Sequence, residues 1–187
     1  MKIKIHSRNF DEEFRWALHA MVEFTMAKLV PSKRLRKNLE IDVHFRRHPH
    51  EGEAKLHEKA NRYRPRKFRV FIDHHRLEKD SYKREKPKTE WAHDVLRTLG
   101  HELVHVKQYI TGELTWRKWT WREDSVSFPA NDEGLYWKGL HYEVTDLREY
   151  FDLPYEIEAY GRERGLLLSF LAFWKGLIEE FGPFEPE

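Results

Sequence analysis

The chain has 187 residues, no cysteine, 35% charged residues and a mean hydropathy of -0.84. That length suits a single domain over 1–187, and no apolar run reaches the roughly 18 residues that cross a bilayer. Without cysteine there is no disulfide framework, no thiolate zinc site and no thiol nucleophile, so a metal would need nitrogen and oxygen ligands, and twelve histidines supply the nitrogens.

The N-terminus, MKIKIHSRNF, lacks the apolar stretch of an export signal, which predicts a cytoplasmic protein. Residues 2–6 alternate and read as a short strand. A first helix is expected from near Asn9 to about Val30, with Phe14, Leu18, Met21, Val22 and Met26 on one stripe and Pro31 as its stop. Residues 39–46 alternate as a half-buried strand, and 67–74 read as another. The polar stretch 47–66 between them reads as a mobile loop, and Lys79–Lys88 as a charged one. The strongest helical pattern covers 90–110, where Ala92, Leu96, Leu99, Leu103, Val106 and Ile110 recur at three- and four-residue steps. Residues 111–152 look irregular, with possible strands around Trp116, Trp119 and Trp121 and at 136–144. Asp152 can cap a last long helix with Pro154 in its first turn, ending near Phe181. The tally predicts an α+β domain: a small, mostly antiparallel sheet packed on the 90–110 helix and a long C-terminal helix.

Residues 101–105 read His-Glu-Leu-Val-His. On a helix, positions i and i+4 share a face, so His101 and His105 can reach one ion. Glu102 lies about 100° further round, beside that ion rather than on it, where it can take a proton from water. A zinc ion there would lower the water's pKa from 15.7 toward roughly 7. The apolar stripe occupies a different face, which leaves both histidines free for chemistry.

A catalytic zinc usually takes three protein ligands. Three and six residues after His105 stand Gln108 and Thr111, which excludes the metzincin pattern. Downstream, Pro-Tyr-Glu-Ile-Glu-Ala-Tyr-Gly places Glu156 and Glu158 about 200° apart on a helix, so at most one of them faces the metal. His141 is a further candidate, since zinc accepts either ligand type.

His-Glu-Leu-Val-His followed by Glu-x-Glu-Ala resembles the gluzincin metallopeptidases, above all the small single-domain minigluzincins and prokaryotic SprT-like peptidases. The segments GHELVHVKQY, WKG and PYEIEAYGRE carry the likeness, which is confined mostly to residues 90–165. In the family pattern Glu-x-x-Ala the ligand stands three before the alanine; Ala159 is that alanine, so the resemblance selects Glu156. SprT-like proteases that act on DNA–protein crosslinks use a histidine instead, which would be His141. Many gluzincins place an aspartate four after the ligand, bonded to a metal-bound histidine; here that position is Tyr160, so the support must differ. Tyr160 and Tyr142 are candidates to stabilise an oxyanion. Asp94 could steady a ligand histidine from two turns before it.

The remaining features invite plainer readings. His74 and His75 end a strand at the surface, and His44, His48 and His50 could bind a metal adventitiously, but their loop gives no fixed geometry. Residues 1–90 carry 24 Lys/Arg against 14 Asp/Glu, and residues 91–187 carry 10 against 18. That basic half motivates an alternative, a nucleic-acid-associated protein. The main expectation is a monomeric zinc metallopeptidase acting on peptide or protein substrates, with no membrane partner. His101, His105 and Glu156 hold the metal, Glu102 is the base and Tyr160 assists. An edge strand, 67–74 or 39–46, would take an extended peptide by strand addition.

Overall fold

The computed structural model describes residues 1–7, 10–83, 88–118, 133–142 and 146–182. Strand β1 (Lys2–His6) leads into helix α1 (Glu12–Leu29), then α2 (Lys33–Lys37) and β2 (Glu40–Phe45). Asp11 caps α1 by accepting from Phe14 N at 2.7 Å, two residues beyond the expected start. β1 and β2 pair in parallel, because α1 carries the chain back across the sheet. Strand β3 (Gly52–Leu56), a loop, and β4 (Lys67–Ile72) follow.

The sheet order is β1-β2-β4-β3, with β2 and β4 parallel and β3 antiparallel to β4. The α+β class is the one expected. Within this four-stranded sheet, however, the pairing is mainly parallel; the antiparallel pairing expected of most strands governs a separate sheet, described below. Two further expectations are corrected here. The stretch 47–66 contains β3, and the strands at 39–46 and 67–74 are interior while β3 holds the edge. The segment Gly-Glu-Ala-Lys-Leu alternates only weakly, Gly52, Ala54 and Leu56 against Glu53 and Lys55, because an edge strand beside a polar cleft needs no large apolar residues and stays half-buried.

Asp73 ends β4 and turns the chain into α3 (His74–Lys83), its Oδ1 accepting from Arg76 N at 3.1 Å. The supposed charged loop at 79–88 is thus helical as far as Lys83, and 84–87 lie outside the described residues. Helix α4 (Lys88–Thr111) is the centre of the fold. It packs on α1, α3, β3, β4 and the last helix. Val95, Leu96, Leu99, Leu103, Val106 and Ile110 meet Leu18, Met21, Val22 and Met26 of α1 and Ile41, Val43, Phe68, Val70 and Ile72 of the sheet in one core.

A second, antiparallel sheet contains β5 (Leu114–Lys118), β6 (Glu133–Trp137) and β7 (Leu140–His141). Lys138 and Gly139, both at positive φ, form the two-residue turn between β6 and β7. Trp116 lies in β5; Trp119 and Trp121 are outside the described residues. Helix α5 (Leu147–Phe151) is capped by Asp146, and α6 (Pro154–Phe181) follows at once. Asp152 therefore closes α5 rather than capping α6, which starts on Leu153 and Pro154 without a side-chain cap. None of the described helices is long and apolar enough to cross a membrane.

Candidate metal centre

Helices α4 and α6 pack along each other and bring three side chains to one point. His101 Nε2 and His105 Nε2 lie 3.2 Å apart. Glu156, in the first turn of α6, sets Oε2 3.3 Å from His101 Nε2 and Oε1 3.4 Å from His105 Nε2. All three residues are buried. Three ligands of a tetrahedral ion with bonds of about 2.0–2.1 Å stand about 3.3 Å apart. The two imidazole nitrogens, and each of them with one oxygen of the Glu156 carboxylate, already stand at about that separation.

The protons point the same way. His101 Nδ1 donates to Glu163 Oε2 at 3.0 Å, and His105 Nδ1 donates to Gln108 Oε1 at 2.8 Å. Both acceptors lack a proton, so each neutral ring carries its hydrogen on Nδ1 and aims an Nε2 lone pair at the common point. The Gln108 amide cannot be reversed, because its Nε2 donates to Tyr155 O at 2.9 Å and to Glu158 Oε2 at 3.1 Å. Glu156 Oε2 is buried without a hydrogen-bond partner. Two facing lone pairs and an orphaned carboxylate oxygen suit a cation far better than they suit each other. The donor set therefore fits a divalent transition ion.

Electrostatics agree. Burial alone would lower the His101 imidazole, but the Glu156, Glu163 and Glu102 carboxylates outweigh it and hold His101 up at about 9. His105 is raised too, where Glu156 and Glu102 outweigh burial. Burial would raise Glu156, yet the two imidazoles 3.3–3.4 Å away and the Tyr150 hydroxyl bring it down to about 2. The cluster demands positive charge. Burial pushes Glu102 up to about 7 against the pull of the two imidazoles. Glu102 lies beneath Gly52 of β3, where a Cβ would come 2.5 Å from its Oε1.

An open cleft of about 960 Å³ runs over these residues, walled by β3 on one side and by α5, α6 and β5 on the other. Compared with protein-family models, with curated proteins and with solved structures, the chain has no significant match in any of the three. The site must be judged on its own geometry.

On that geometry, the candidates for a third ligand separate. Glu156 faces the histidines. Glu158 turns away and holds Gln108, Lys107 and Arg162, with Lys107 Nζ at 2.9 Å. His141 lies in β7 against Tyr136, away from the cluster. Of the two tyrosines, Tyr160 lines the cleft with its ring 4.5 Å from that of His101, while Tyr142 is exposed outside the cleft. Asp94 reaches the site indirectly: it pairs with Arg97 at 3.2 Å, and Arg97 approaches Glu163 at 3.7 Å.

Sequence reasoning missed Glu163 and Tyr150. Glu163 stands seven residues after Glu156, two turns along the same face, a spacing that could have found it. It takes over the support that Tyr160 cannot give. Tyr150 donates from α5 to Glu156 Oε1 at 2.7 Å. Burial and the Glu156 charge raise its pKa and keep it protonated for that task. No local pattern announces it, because its partner lies across a helix boundary.

Proposed function

We propose that this protein is a zinc-dependent metallopeptidase of gluzincin type, with His101, His105 and Glu156 as the ligands. The carrying observation is that the two Nε2 atoms stand 3.2 Å apart, each with an oxygen of the Glu156 carboxylate 3.3–3.4 Å away and the buried Glu102 beside them. Zinc in such a site supplies a Lewis acid for the scissile carbonyl and makes water acidic. Glu102 accepts the proton from the attacking water and delivers it to the leaving amine, a role suited to a carboxyl raised to about 7. Tyr160, which lines the cleft beside His101, is the residue whose hydroxyl would donate to the developing oxyanion. Glu163 and Gln108 hold the two imidazoles in the metal-binding tautomer.

The substrate on this reading is an extended peptide. β3 pairs with β4 along one edge only, and its other edge borders the cleft, so it can add a peptide strand. The nucleic-acid alternative draws less support. Lys2, Lys4 and Lys67 of the basic half gather around Glu40, and Arg69 pairs with Glu58.

Metal analysis and one variant test the proposal. Protein from metal-replete expression should hold one tight equivalent of zinc, and Glu102→Gln should keep it while losing peptide cleavage by about 10²–10⁴-fold. Cleavage unchanged in Glu102→Gln would remove the assigned base.

A further inference from the structure

Strands β1 and β2 run parallel and in register, with Lys4 opposite Asp42 and His6 opposite His44. These residues alternate with Ile3, Ile5, Ile41 and Val43, which belong to the core. They therefore share the sheet face turned away from the core helices. That face should be solvated and polar, yet Asp42 is only 8% exposed. Its Oδ1 is buried and accepts no hydrogen bond, although Lys4 Nζ stands 3.4 Å away. His44 Nε2 is likewise buried with no partner. The His44 ring is clamped between His6, stacked at 4.2 Å and 3°, and Phe71 at 5.4 Å. One nitrogen from each histidine and one Asp42 oxygen lie within 4.8 Å of one another.

Two unsatisfied buried atoms of ligand type in one place call for an explanation. We infer that His6, Asp42 and His44 form a second metal site, for a divalent transition ion such as zinc, on the outer face of the sheet and separate from the cleft. Two imidazoles and one carboxylate suit zinc, nickel or copper and disfavour magnesium and calcium, which prefer all-oxygen shells. Lys4 loses little when a metal takes Asp42, because Glu40 Oε1 lies 3.3 Å from its Nζ.

The site is not preformed like the first. Parallel stacked rings send their in-plane lone pairs in parallel directions, so His6 must leave the stack and turn toward Asp42. His6 is exposed at the end of an edge strand, where its side chain is free to change rotamer. The bound ion would pin β1 to β2. Its affinity should fall below that of the cleft, where the donors already lie 3.2–3.4 Å apart.

The test is a zinc titration of the demetallated full chain against a chromophoric chelator near neutral pH. Wild type should show a tight equivalent and a second, at least about tenfold weaker one. His6→Gln and His44→Gln should each remove the second and keep the first; His101→Gln should do the reverse. His6→Gln alters an exposed side chain, so it remains informative even if His44→Gln fails to fold. Ring nitrogen shifts of His6 and His44 on the second addition give an independent readout. A wild type with no weaker equivalent, or a weak equivalent that survives both His6→Gln and His44→Gln, overturns the inference. The peptidase reading fails differently, through absence of the tight equivalent or of Glu102-dependent cleavage.

Discussion

At the residue scale, Gly52 and Glu102 compete for one space. A side chain at Gly52 would meet Glu102 Oε1 at 2.5 Å and Cγ at 2.9 Å, so Gly52→Ala must displace the carboxylate. Misplacing a proton acceptor by about 1 Å costs on the order of 10²-fold in rate. Gly52→Ala should therefore lower kcat by that factor while zinc content, measured by elemental analysis, stays at the wild-type level. Glu163 and Gln108 predict the opposite pattern. Neither touches the metal position, but each fixes an imidazole. Glu163→Ala should weaken zinc about 10–100-fold in a chelator competition, and restoring saturating zinc should recover much of the activity.

At the scale of elements, the site exists because α4 and α6 approach closely. Ala159 is fully buried, and a Cβ on Gly100 would stand 3.1 Å from Met21 Cε and 3.8 Å from Leu166 Cβ. Close approach of the helices brings Glu156, three residues before Ala159, within reach of both histidines. Ala159→Leu should therefore cost about 1–3 kcal/mol in chemical denaturation. It should also weaken zinc binding, because α6 must move outward and carry Glu156 with it. How much of each element is legible follows its burial. α4 has an unbroken apolar stripe against the core, and its sequence pattern is plain. β3 borders the cleft on one edge and carries Gly, Glu and Lys, so its sequence looks like a loop. The start of α6 was misplaced by one residue because Asp152 serves α5 instead.

At the scale of the whole molecule, metal and pH are linked through folding. Without zinc, His101 sits at about 9, above its unfolded value of 6.5, so its contribution is complete below about 6.5 and lost as pH rises through 9. Glu156 sits at about 2, below 4.5, so its contribution is present above 4.5 and lost as pH falls through 2. Glu102, held at about 7 and above 4.5, adds a contribution that is complete below 4.5 and lost as pH rises through 7, so the metal-free fold should be most stable near pH 4.5, as urea titrations at several pH values would show. Zinc reverses the loss at higher pH. Binding must expel the His101 proton, so apparent zinc affinity should climb with pH between about 6.5 and 9. Free zinc at 100 times its Kd stabilises by about 2.7 kcal/mol, which corresponds to a Tm about 5–10 °C above the chelated protein.

The sequence by itself determined that a metal site here would use nitrogen and oxygen, that His101 and His105 share a helix face, and that Glu102 stands beside them. These are consequences of composition and of a 3.6-residue repeat, which act within one element. The choice of Glu156 ahead of Glu158 and His141 came from the resemblance to gluzincins through Ala159. The tertiary structure alone decided which groups converge from different elements: Glu163 and Tyr150 on the ligands, Gly52 over Glu102, and β3 rather than β2 or β4 at the sheet edge. The same holds for His6 and His44, whose pairing depends on the register of two parallel strands separated by two helices. Local periodicity carries no information about such pairings, because they are fixed by how buried surfaces pack and not by distance along the chain.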